Sequence, residues 1–221
     1  MVKPDTYIDL GDTGEWSYFS THYWRGRNAK PMEDLIPLLD SEVNAGMDWI
    51  DKSLDKAGVK ERHFIQGNHE VWLDKFVERY PYLTQYMTET VLRLKERGYK
   101  YHPYNRKKTL RIGKLSFTHG KYTSKYHAFK HLDAYGQNIM YGHTHDLQRH
   151  TKTVAGGTLS AWSLGCLKDI EADEDWLRGL LTNWNHAFAI IDWFKNGNFK
   201  VEVVEIIKGK TTLWGEVING K

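Results

Sequence analysis

Apolar positions along this chain follow two periods. Between residues 32 and 57, Leu35, Ile36, Leu38, Leu39, Val43, Met47, Ile50 and Leu54 recur at helical spacing, which predicts one long amphipathic helix. Pro31 suits its start and Gly58 its stop. Elsewhere the apolar residues come in short runs bounded by turn formers, the mark of strands. Thr6 to Leu10 is the first run, broken by Gly11-Asp12. His63-Phe64-Ile65 is the second, ending at Gly67-Asn68-His69-Glu70. A second helical region covers Val71 to Lys95, interrupted by Pro81 and closed by Gly98. Thr109 to Ile112 and Leu115 to Thr118 flank Gly113-Lys114 as a hairpin, and the second of them ends at His119-Gly120. A short helix is expected between Ser124 and Tyr135. Asn138 to Tyr141 is again a strand, ending at Gly142-His143-Thr144-His145. Residues 148 to 167 are strand-like and glycine-rich. The tail pairs Ala187–Asp192 with Lys200–Ile206 around a turn at Asn196-Gly197-Asn198. Its last run alternates charged and apolar residues, as a half-exposed sheet should.

Composition narrows the class. The chain has 221 residues, 40% hydrophobic and 27% charged, enough for one domain with a real core. No apolar stretch approaches the ~20 residues a membrane-spanning helix needs, and the start at Met1 opens no apolar signal segment. A soluble, cytoplasmic protein is the expectation. One cysteine, Cys166, excludes an internal disulfide and a thiolate cluster. The net charge of +3 is too mild to argue for nucleic acid. Arg106-Lys107-Lys108 and Arg111 nevertheless lie near Lys100, Tyr101, His102 and Tyr104. That segment reads either as a solvated hairpin or as a surface meeting a polyanion. Glu171 to Asp175 reads as a solvated acidic loop.

Four strand-like runs end in good metal ligands: Asp12, then Asn68 and His69, then His119, then His143 and His145. Sites in α/β folds form outside the carboxyl ends of strands. Glycine beside three of these ligands allows a sharp turn and close approach to the backbone. One such run would be weak; four in chain order point to a metal centre.

These residues resemble the calcineurin-like metallophosphoesterases. Gly11-Asp12-Thr13-Gly14-Glu15, Gly67-Asn68-His69-Glu70, the lone His119 and Gly142-His143-Thr144-His145 fall in that family's order, over nearly the whole chain. The aromatic context after Asp12 looks more like the small bacterial and phage enzymes than the protein phosphatases. The resemblance implies an α/β fold, a four-layer α/β/β/α sandwich, with residues 1–221 as a single domain. It implies two divalent metal ions, Mn foremost with Fe, Zn and Co as alternatives. Asp12 would bridge them, Asn68, His119 and His143 would complete one site, and His145 would serve the other. Two ions about 3.5–4 Å apart clamp phosphoryl oxygens and make hydroxide available near neutral pH. His69 would then be the proton donor in phosphomonoester or phosphodiester hydrolysis. Glu70 would orient it or lie at the surface. The expected partner is a phosphate-ester substrate, with a nucleotide or nucleic acid allowed by the basic segment; there is no membrane partner.

One family motif is missing. No Asp-x-His strand precedes Asp12, so a first strand and helix, with two ligands, are absent. A fragment or misassigned start is the preferred explanation. The rivals are a protein with one tight and one loose ion, and a non-catalytic metal-binding or scaffold relative. Asp9 and His22 are weak substitutes as ligands. Glu15 replaces a loop-supporting Asp. His102, His127, His131, His150 and His186 fall outside the motif, although Lys125 and His127 follow His119 closely enough to reach a substrate. Trp162, Trp176, Trp184 and Trp193 are expected to pack a second sheet.

Overall fold

Strands and helices alternate through the first part of the chain and a β-rich tail follows. The computed structural model describes residues 2–20, 32–105, 107–170, 177 and 179–220. It is a mixed α/β protein with several sheets, divided into two compact units, Met1–Asn105 and Arg106–Lys221. The acidic loop, Trp176, His22 and Arg106 lie outside the described residues.

The first unit is built around three parallel strands in the order β1-β2-β3: β1 Thr6–Asp9, β2 Glu61–Ile65 and β3 Tyr99–His102. Parallel neighbours need crossover connections. Helix α1, Met32–Ala57, supplies the first; α2, Asn68–Arg79, and the short α3, Thr88–Val91, supply the second. The helix predicted over 71–95 is split because Pro81 cannot donate the backbone bond that would continue it. Phe64 and Tyr99 enter a buried cluster with Met47, Leu54, Leu73, Val77, Leu92 and Leu94. Trp16, on a 3-10 turn over Trp16–Phe19, is fully buried in the same cluster. A polar latch borders it: Asp51 accepts hydrogen bonds from Arg62, Arg97 and the Tyr99 hydroxyl.

The second unit carries a five-stranded mixed sheet, in the order β4-β5-β6-β8-β7. The hairpin is as expected, β4 Leu110–Ile112 with β5 Leu115–Thr118. β5, β6 (Ile139–Tyr141) and β8 (Gly157–Leu164) run parallel, and β7 (Leu147–Val154) closes the sheet antiparallel to β8. Helix α4, His127–Tyr135, packs on it through Ala128 and Leu132, against Ile139, Tyr141 and Ala161. The hairpin of β9 (His186–Trp193) and β10 (Phe199–Ile206) also packs on this sheet. Trp193 meets Phe117 and Phe199, and Trp162 meets Phe199. Trp162 and Trp193 thus do the packing expected of them. A last hairpin joins β11, Lys210–Leu213, to β12, Glu216–Asn219. Among the described residues, no helix is long and apolar enough to cross a membrane.

The basic segment resolves into two different things. Lys100 and His102 belong to β3, where Lys100 pairs with Glu61 and His102 with His63. Arg111 lies on β4 and donates to the Gly113 carbonyl.

Candidate metal centre

In the first unit, β1 ends in a turn that its own side chains shape. Asp9 accepts the Gly11 N–H at 2.8 Å and the Thr13 hydroxyl at 3.3 Å. It therefore holds the turn. Gly11 has φ +88°, and a Cβ there would lie 2.4 Å from the Ile65 carbonyl oxygen, so only glycine fits. Asp12 follows with φ 59°, in the left-handed region that costs a side-chain-bearing residue about 1 kcal/mol or more. Its carboxylate accepts the His69 N–H at 2.9 Å.

Glu70 is the residue that fixes this loop. It is fully buried, and its carboxylate accepts the N–H groups of Asp12 (2.9 Å), Thr13 (2.9 Å) and Gly67 (2.8 Å). Its full burial overturns the surface position expected as one of its two roles. The Gly67 contact is half of a capping box: a glutamate at the third position of a helix returning to the residue that precedes the helix. That spacing, Gly67 to Glu70, was the available sequence signal. His69 stacks on Trp72 at 4.3 Å. Its ring nitrogens lie 3.9 Å from the carboxylates of Asp12 and Glu15. Asn68 opens α2 beside it.

In the second unit, the neighbouring parallel strands β5 and β6 bring two histidines together. Thr118 and Tyr141 are in register, so the chain leaves both strands at one level. Gly142 N–H then donates to the His119 carbonyl at 3.0 Å. His119 Nε2 and His143 Nδ1 lie 3.1 Å apart, and His119 is buried. Two facing imidazole nitrogens can share one proton or turn both lone pairs on one cation. Gly120, at φ +110°, makes room: a Cβ would sit 2.9 Å from the Tyr141 ring and 3.1 Å from His143 Cβ.

His143 and His145 adopt φ 73° and 62°. With Asp12, three of the expected ligands share this strained backbone, which clusters at functional sites because only a well-braced loop sustains it. The bracing is visible. Thr144 meets the Ser163 hydroxyl at 2.9 Å, Ser163 meets the Asp146 carbonyl at 2.8 Å, and Asn185 N–H donates to the His145 carbonyl at 2.8 Å. The His145 ring stands edge-on to Trp184 at 4.9 Å. The second unit therefore pairs His119 with His143, while the His145 ring packs against Trp184. His127, considered above as a residue that reaches substrate, is instead the buried first residue of α4, with both ring nitrogens engaged.

No model of a known protein family matches this sequence, and a search of the curated proteins finds no match. The donor chemistry therefore carries the functional reading. The paired imidazoles of the second unit suit Mn, Fe, Co or Zn and disfavour an all-oxygen Mg or Ca site. A pair of facing ring nitrogens, on buried His119 and half-buried His143, fits such an ion.

Proposed function

We propose that the chain binds one divalent cation through a centre built on the paired imidazoles of His119 and His143, with Asp12 a further candidate ligand read from the sequence. On this reading it is a metal-binding relative of the metallophosphoesterases that is not itself a two-ion hydrolase. The observation that carries the reading is the pair of facing nitrogens of His119 and His143 at the ends of adjacent parallel strands. The strained, braced backbone at Asp12 and His143 supports it. The frame it resembles is a single four-layer α/β/β/α domain, and the reading extends that expectation to residues 1–221. A cation there supplies positive charge for an anionic oxygen and a more acidic bound water. Among the described residues one candidate ligand group is found, which supports a metal-binding or scaffold role over a two-ion site. Asn68 and His145 remain proposals as further ligands, and Mn is the proposed ion.

A second reading, hydrolysis of phosphate esters with His69 as proton donor, is favoured by one observation. His69 Nδ1 is buried and has no hydrogen-bond partner among the described residues. Metal analysis after loading with Mn and dialysis, together with an assay of bis-aryl phosphate hydrolysis, separates the two. One ion per chain, lost in His143→Ala, with no turnover above that of His69→Ala, is the expected result. Turnover that disappears in His69→Ala while the metal stays would establish the hydrolase. Two tightly held ions would overturn the one-ion reading, and none at all would overturn both.

A further inference from the structure

Helix α4 carries two histidines at i and i+4, His127 and His131, on one face. That spacing is a common metal-binding pattern, yet here every ring nitrogen already has a partner within the second unit. His131 Nδ1–H donates to the His127 carbonyl at 2.8 Å. Its Nε2 accepts the Lys121 N–H at 3.0 Å and the Tyr122 N–H at 3.4 Å, in the turn that follows His119. The ring stacks on Tyr141 at 3.7 Å. His127 Nδ1 meets the Tyr141 hydroxyl at 2.6 Å, and its Nε2 meets the Asp146 carboxylate at 3.0 Å, directly after His145.

We infer that α4 is a brace that presets both ligand loops of the second unit, with His131 and His127 as positioning residues for His119 and His143. The inference rests on reading those two as ligands. Each brace residue reaches a different loop, and Tyr141, the last residue of β6, ties the two together. His131 can do this only as the neutral tautomer with the proton on Nδ1, because a second proton would set N–H against two backbone N–H groups. Its burial favours that neutral form. Partners of this kind, which orient ligands without touching the ion, typically change metal affinity 10- to 100-fold when removed.

The test uses Co(II), whose visible absorption reports ligand geometry, titrated into the full chain. His127→Asn keeps a group at the Tyr141 side but cannot reach Asp146; His127→Gln reaches Asp146. The expected result is an affinity loss of about tenfold with a shifted spectrum in His127→Asn, and recovery of both in His127→Gln. Equal behaviour of the two variants, or unchanged affinity and spectrum in His127→Asn, would overturn the brace. Hydrogen exchange in the metal-free wild-type chain is an independent arm that needs no variant. The amides of Lys121 and Tyr122 should exchange slowly although they lie in a loop, and fast exchange there would sink the proposal. If the wild-type chain takes up no Co(II), the cation reading fails by itself and slow or fast exchange at those amides still decides the brace.

Discussion

Glu70 is a buried charge spent on backbone, and its worth can be measured. Three N–H groups converge on its carboxylate. Truncation leaves three donors without this acceptor, one buried at Gly67 and two part-buried at Asp12 and Thr13, each a desolvation cost. Glu70→Ala should lose about 3 kcal/mol or more of unfolding free energy in urea. Glu70→Gln, which keeps one oxygen, should lose roughly half of that. An alanine variant as stable as wild type would show that the loop finds other partners. His131 gives a residue-scale prediction in pH. Burial pushes its pKa down from 6.5 to about 4. Between those values the unfolded chain binds the proton and the folded chain does not, so stability rises with pH there. The contribution is complete above pH 6.5 and falls away as pH drops toward about 4, an amount of about 3 kcal/mol. His63 and His102 are also pushed down, chiefly by burial, so the His131 share is the difference between wild type and His131→Gln. Urea midpoints from pH 7 to pH 4.5 should fall less steeply in the variant; parallel curves would refute the assignment. The Gly67-to-Glu70 spacing announced part of the first role, whereas the sequence left His127 and His131 as surface or hydrogen-bonded residues without naming their partners.

At the scale of elements, period decided what could be read. Helix α1 was legible to its ends because Met47, Ile50 and Leu54 keep helical spacing up to Gly58. β3 was missed for a physical reason. Tyr99 and Tyr101 turn into the core cluster while Lys100 and His102 take the other face, a clean period of two. Its flanking lysines and arginine made the segment look like a basic surface instead. The hairpin of β11 and β12 was also unread, because Val217 and Ile218 stand exposed and bury no stripe. The same reasoning locates a weakness in α1. Gly46 sits mid-helix, exposed, with nothing within 4 Å of where a Cβ would point. Gly46→Ala should stabilise the protein by about 1 kcal/mol, by restricting the unfolded chain without creating a clash. A urea midpoint unchanged or lowered would mean that this helix position is not regular.

At the scale of the whole molecule, the strand ends that carry the candidate ligands were legible and the side-chain pairing at those ends was not. Strand ends carrying Asp12, Asn68, His119 and His143 follow from short apolar runs closed by glycine, and a one-dimensional pattern can show that much. Which ligand nitrogens face each other depends on strand order, and β5 beside β6 is what pairs His119 with His143. His145, only two residues on, meets Trp184, from a segment distant in sequence that no local pattern announces. The one-ion reading then makes a prediction for the complete chain. A cation that binds the native state and not the unfolded one raises stability by mass action, about 2.7 kcal/mol at a hundredfold excess over its dissociation constant. His119 and His143 lie 24 residues apart in sequence, so an unfolded chain does not hold them together and the linkage should be close to this limit. Thermal unfolding with Mn in excess should therefore move several degrees above that measured in chelator, and the shift should grow with the logarithm of metal concentration. His143→Ala should keep a midpoint near that of the chelated wild type and lose the metal response. A shift of equal size in His143→Ala would place the bound ion elsewhere on the surface, and no shift in the wild type would remove the cation from the native state altogether.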